Sequence, residues 1–161
     1  MNAGRGPARR SRLGRAALRV ALTAALHPAC TIPGYWLATG AGAAWGILAG
    51  HGPVCERLRR RGELLVADTL PPWAFGRGGT TVGGVFLTSP AQAARIGEAV
   101  YAHEAVHRRQ WRRFGLGMIP LYLAAGRDPL HNRFEIAAGL EAGGYLPAPP
   151  APAPAPEPPA T

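Results

Sequence analysis

The stretch SPAQAARIGEAVYAHEAVHRRQWRRFG, residues 89–115, decides how this chain is read. Ser89 suits a helix N-cap, Pro90 the first helical position, and an apolar pattern runs on to Phe114 before Gly115 stops it. One helix is predicted over the whole stretch. On its wheel Ile96, Val100, His103, His107, Gln110 and Phe114 share a sector, and Arg108, Arg109, Arg112 and Arg113 fall opposite. The first set faces inward, and the arginines read as a solvated face, with phosphate or lipid contact as the alternative. Trp111 lies off the inward sector and is read as packing.

The helix carries His103-Glu104-Ala105-Val106-His107, an HExxH motif. Residues four apart on a helix differ by about 40° around the axis, so both imidazoles leave one face and can share a tetrahedral Zn²⁺. Glu104 is rotated by about 100° from His103. It flanks the metal position, where a general base could take a proton from water activated by the metal. With 5 His among 161 residues and 7 Glu, a chance match is expected about 0.007 times per chain, so coincidence is a weak account.

Outward from the motif, Glu63–Ala67 and Thr80–Thr88 have the β-branched and apolar content of short strands, separated by the Pro- and Gly-rich PPWAFGRGG. Downstream, helices are predicted over Leu116–Ala125, with Pro120 a possible kink, and over Asn132–Leu140, ending near Gly143-Gly144. From Pro147 onward the Ala-Pro repeat holds eight of the 17 prolines. Such a segment can form neither a ladder nor a core and reads as a disordered, extended tail.

An HExxH helix preceded by a short strand, followed by Gln110-Trp111 and by a second helix with a glutamate in Asn132-Arg133-Phe134-Glu135-Ile136-Ala137-Ala138, resembles the small bacterial zincins of the gluzincin, or minigluzincin-like, type. The resemblance covers about residues 80–145, and only HExxH is a sharp motif. It implies a metallopeptidase in which a glutamate of the downstream helix is the third zinc ligand; here that falls on Glu135, 28 residues beyond His107. It also implies an acidic residue four positions later to orient a ligand histidine, where this chain has Gly139. It further implies that a strand along the cleft pairs with an extended peptide, and the central glycines of 80–88, Gly83 and Gly84, would permit close backbone approach.

The residues themselves leave four candidates for the third ligand: Glu135, Glu141, His131 and Asp128. Glu135 is favoured, because a carboxylate in an apolar helical run beside Phe134 and Ile136 is costly unless it meets a cation. His131 would make a three-histidine site. Glu141 reads as a surface carboxylate and Asp128, before Pro129, as a turn residue. An oxyanion donor could be Tyr145, Tyr122 or His131, and Gln110, one turn beyond His107, reads as support for the site.

Charge is unevenly placed. All 18 basic residues are arginine, which with 22 Gly and 17 Pro fits a GC-rich coding bias as well as selection for charge. Residues 1–19 hold six Arg and no acid, and the tail from Pro147 holds only Glu157, which leaves 12 Arg against 8 acids between them. A polyanion, either nucleic acid or anionic lipid, would therefore meet mainly the N-terminal arm. The arginines of Cys55–Arg61 (CERLRRR) read as a solvated helical or turn segment.

Several classes are excluded by composition. Cys30 and Cys55 fit neither a disulfide framework nor an iron–sulfur cluster and read as buried free thiols. Gly78-Gly79-Thr80-Thr81 is no phosphate loop, because the chain has no lysine. From Val20 to Gly50 there is no charged residue, yet only ten of these 31 positions are Val, Leu, Ile, Trp or Tyr, and prolines and glycines interrupt the rest. Packing within the domain is the favoured reading; a membrane span and a surface-lying segment are the alternatives. His27-Pro28 stands where a signal peptide would want small cleavage-site residues.

The expectation is an α+β, zincin-like domain over residues 20–146 with a short sheet and an active-site helix, between a basic flexible arm (1–19) and a disordered tail (147–161). It is read as a cytoplasmic zinc metallopeptidase, possible membrane association included, that acts on peptide or protein through one Zn²⁺ held by His103, His107 and Glu135. The competing expectation is a non-catalytic, zinc-stabilised module that contacts nucleic acid or anionic membrane through its arginines.

Overall fold

A four-stranded mixed sheet is sandwiched between two long helices. The computed structural model describes residues 27–76 and 78–147, so the basic arm and the tail beyond Pro147 lie outside the described residues. In chain order the elements are α1 (Pro28–Ala49), β1 (Arg59–Arg61), β2 (Leu64–Ala67), β3 (Thr80–Val82), β4 (Val85–Leu87), α2 (Pro90–Ala93), α3 (Glu98–Phe114), α4 (Met118–Ala124) and α5 (Arg133–Ala138). This is the α+β class. The strands lie in the order β1-β2-β4-β3; β2 and β4 are parallel and the outer pairs antiparallel.

Side-chain alternation in the central strands explains the layers. Leu64 and Val66 of β2 and Phe86 of β4 point to one face, where Tyr101, Val100 and Ala105 of α3 and Ile96 cover them. Ala67, Val85 and Leu87 point to the other face, against Ala43 and Ala49 of α1. Both faces are covered, so β2 and β4 read as apolar runs without polar alternation. Beyond β3 the two helices meet directly, and Tyr35, Ala38, Trp111, Met118 and Phe134 form the core that α4 and α5 close.

The glycines and Pro33 of residues 28–49, which read as interruptions, lie within one continuous helix. A Cβ on Gly46 would stand 2.6 Å from the Ala67 Cβ, and one on Gly42 3.1 Å from the Val82 carbonyl oxygen. These positions are where helix backbone meets sheet, and packing outweighs their poor helix propensity. No helix among the described residues is long and apolar enough to cross a membrane.

Four local expectations need correction. Residues 90–114 form two helices, because Gly97, in extended conformation, interrupts the pattern and caps α3 while Ile96 turns into the core. Thr80–Thr88 is a hairpin and not one strand: Gly83 has φ 61°, the left-handed position that opens a two-residue turn of type II′. The arginines of CERLRRR continue into β1, an exposed edge strand whose charges guard it against further pairing. Arg59 there pairs with Asp68 and Arg61 with Glu98. Cys30 and Cys55 are free thiols as expected, but exposed, since both sit in first turns at the surface.

Candidate metal centre

Packing of α3 against the sheet leaves His103, His107 and Gln110 buried on its inner side, and α5 brings Glu135 to the same point. Placement of α5 depends on Asn132. Its Oδ1 accepts from the Phe134 amide as the helix N-cap, while its Nδ2 donates to the carbonyls of Tyr122 and Gly126 at 3.2 and 2.8 Å. One fully buried amide thus joins the end of α4 to the start of α5 and fixes Glu135 in the first turn.

Three ligand-type atoms converge. His103 Nε2 lies 3.1 Å from Glu135 Oε2, His107 Nε2 lies 3.3 Å from the same oxygen, and the two Nε2 atoms are 3.0 Å apart. His103, His107 and Glu135 form a buried group that could hold a metal ion. The remaining ring nitrogens explain why. His103 Nδ1 lies 2.9 Å from the Gly139 carbonyl, which can only accept, so Nδ1 carries the hydrogen and Nε2 of the neutral ring presents a lone pair. Gln110 Nε2 donates to the Phe134 carbonyl at 2.9 Å, which turns Oε1 toward His107 Nδ1 at 2.8 Å and imposes the same tautomer there. Two lone pairs and a carboxylate oxygen therefore face one another within 3.3 Å. Such a cluster calls for a cation at its centre. Around a tetrahedral zinc with bonds of about 2.0–2.1 Å, neighbouring ligand atoms stand about 3.3 Å apart, so the residues present fit that ion.

Gly139 thus contributes through its main chain where the resemblance implied an acidic side chain. Backbone carbonyls and carboxylates serve equally to hold a ligand histidine. Its neighbour Gly143 makes room for the contact, since a Cβ there would stand 2.6 Å from His103 Cε1.

The local electrostatics follow from this crowding. When a proton and not a metal ion lies among these atoms, burial by itself would raise the Glu135 carboxyl, but the hydrogen bonds that His103 and His107 then donate from Nε2, with that from Tyr122, outweigh it and hold Glu135 well below the usual carboxylate range. Burial would lower His107, yet its bond to Glu135 and the field of Glu104 raise it. Glu104, also buried, is raised by desolvation, opposed by the hydrogen bond that Thr81 Oγ1 donates to its Oε2 at 2.6 Å and by both histidines.

A cleft of about 390 Å³ opens beside this cluster, lined by Glu104, His107, Glu135, Tyr122 and Tyr145 and by the apolar side chains of Val82, Trp111, Met118, Ile119 and Leu123. Its β3 wall is already partly engaged. In a hairpin with Val82 opposite Val85 across a two-residue turn, Thr81 directs its main chain to the free edge, and Trp111 Nε1 donates to the Thr81 carbonyl at 2.9 Å. Gly83 and Gly84 do not face the cleft, contrary to the substrate role expected of them. A Cβ on Gly83 would meet the Thr39 amide at 2.4 Å and one on Gly84 the Tyr35 hydroxyl at 2.6 Å, so they admit α1 to the hairpin.

The remaining candidates divide clearly. His131 is exposed and bonds Asp128 at 2.6 Å, away from both the ligand group and the cleft wall, and Glu141 is exposed. Asp128 also accepts from the Leu130 amide, as a turn residue does. Tyr122 bonds Glu135 Oε1, so it acts on a ligand-type carboxylate. Tyr145 lines the cleft with its ring 5.9 Å from that of His103. Thr81 and Asn132 had no sequence-based role. Thr81 had no signal, whereas Asn132 before a short helix carried the N-cap signal. Comparison with known proteins adds no constraint: no protein-family model, no curated protein and no solved structure matches this chain.

Proposed function

We propose that this chain is a zinc-dependent hydrolase of peptide bonds. The observation that carries the reading is the triangle of His103 Nε2, His107 Nε2 and Glu135 Oε2, with edges of 3.0 to 3.3 Å, at the wall of a cleft that also holds the Glu104 carboxylate. Zinc in such a site supplies a Lewis acid that polarises a carbonyl and acidifies water near neutral pH. His103, His107 and Glu135 would hold it, each oriented by a named partner: the Gly139 carbonyl, Gln110 and Tyr122.

Glu104 has the position and environment of a general base. Its carboxyl is raised above its usual value, toward the range in which it can take a proton and return it to a leaving amine. The Thr81 hydroxyl fixes one carboxylate oxygen and leaves the other to the cleft. The apolar lining from Val82 to Leu123 accommodates a bulky side chain of an extended peptide laid along β3, with the Thr81 amide as its main-chain partner.

The test is zinc stoichiometry together with cleavage of a mixed peptide library, on wild type, Glu104→Gln, His103→Ala and Glu135→Ala. About one zinc per chain in wild type and Glu104→Gln, loss of zinc in the other two, and cleavage by wild type alone are expected. Zinc without cleavage would assign the chain to the metal-stabilised binding class. Folded wild type without zinc would overturn the metal reading itself.

A further inference from the structure

Among the described residues the outer side of α1 is left largely uncovered, and only at its margin does Trp45 donate from Nε1 to the Ala74 carbonyl at 2.8 Å, with its ring 6.2 Å from that of Trp73. Ile32, Trp36, Leu37 and Leu48 are 51%, 62%, 63% and 79% exposed, and Gly40, Ala41 and Ala44 fill the surface between them. At 100° per residue these positions occupy one arc of roughly half the circumference, with Trp36 toward one margin and the partly exposed Trp45 at the other. The arc carries no charge, because Val20 to Gly50 contains no Asp, Glu, Lys or Arg. Leu116, 45% exposed, extends it beside Gly34. A soluble surface of this size is ordinarily broken by charged side chains.

We propose that this face seats the domain on an anionic phospholipid bilayer, with α1 lying in the plane of the membrane. Two observations select this occupant. The apolar arc is preceded in the sequence by residues 1–19 with six arginines and no acid, which is charge complementarity to acidic headgroups. Helix α1 is also too weakly apolar to span a bilayer, and its inner side is committed to the sheet through Gly42 and Gly46. That leaves a helix able to bury one side to a depth of about 5–10 Å, with two tryptophans at its margins as interfacial anchors. Apolar burial and headgroup attraction together supply the two signals that stable anchoring requires. The inference stands apart from the metal reading and fails or holds independently of it.

The experiment is co-sedimentation of the full chain with vesicles of phosphatidylcholine alone and of phosphatidylcholine mixed with phosphatidylglycerol, combined with quenching of tryptophan fluorescence by brominated lipid. Wild type should sediment with the anionic vesicles, less so at high salt, with quenching that drops in Trp36→Phe. Leu37→Glu with Leu48→Glu should lower partitioning about a hundredfold while circular dichroism is unchanged, because both sites are exposed and tolerate charge in the fold. Equal binding by this double variant would overturn the proposal, since arginines alone would then suffice. So would failure of wild type to bind, whether because the face pairs two copies, seen as a dimer that the double variant dissociates, or because residues 1–26 cover it, seen as binding that appears only on their deletion.

Discussion

Replacing Gln110 by Leu separates what the amide does for the fold from what it does for the metal. The side chain is buried, donates to the Phe134 carbonyl at 2.9 Å and accepts from His107 Nδ1 at 2.8 Å. Leucine has a similar volume, so the change removes two polar contacts and opens little space. The Phe134 carbonyl keeps the helical bond from the Ala138 amide, so losing the Gln110 donor costs about 0.5–1.5 kcal/mol of stability. Losing the acceptor frees the His107 ring to rotate and to change tautomer, and loss of such a support weakens metal binding by about 10–100-fold, or about 1.4–2.7 kcal/mol. Chelator competition reads the second quantity, and urea unfolding of metal-free protein reads the first. Gln110→Glu divides the two: it keeps an acceptor for His107 Nδ1 but loses the donor to Phe134, so zinc affinity should stay closer to wild type while stability falls. A folded Gln110→Leu protein with wild-type zinc affinity would refute the argument that this amide fixes the His107 tautomer.

The remaining predictions concern the base, the fold around the ligands and the hairpin. Thr81→Val removes the hydrogen bond that holds the Glu104 carboxyl down against desolvation, so its pKa rises further and the acidic limb of the pH–rate profile moves to higher pH. Any field from a bound ion is common to both proteins, so the sign stands, and Thr81→Ser should restore the wild-type limb. Asn132→Ala removes an N-cap and two donors to carbonyls, which should cost about 2–4 kcal/mol in denaturant unfolding and loosen zinc through misplacement of Glu135. Gly83→Ala puts a Cβ in the left-handed region and 2.4 Å from the Thr39 amide, so strain and overpacking should together cost about 2–5 kcal/mol. Gly52→Ala, at φ 79° with open space around it, isolates the strain and should cost only about 1–2 kcal/mol.

What could be read from the sequence follows from how far apart the interacting groups lie along the chain. His103 and His107 meet because helical geometry brings residues four apart together, and that relation is written in the spacing. Glu135 meets them across 28 residues, so its approach was inferred from the cost of a carboxylate in an apolar run. Gln110, one turn beyond His107, was legible as its support, whereas the partner of His103 was harder to foresee because it acts through the main chain. Position 139 offered no side chain, and its carbonyl does the work that an acidic group was expected to do. The same blindness affected the glycines. Gly42 and Gly46 interrupt any helix propensity over residues 28–49, yet the space they leave is filled by Val82, Val85 and Ala67 of the sheet. Gly83 and Gly84 were expected to admit the backbone of a substrate, but Gly83 admits the α1 backbone at Thr39 and Gly84 the side chains of Tyr35 and Thr39. A missing Cβ marks close approach without naming what approaches, and at Gly139 and Gly143 what approaches is the ligand His103 itself. The segment from Gly139 to Gly143, which read only as the end of a helix, is therefore one of the walls of the candidate metal centre, and its substitution should be felt first in the orientation of that histidine.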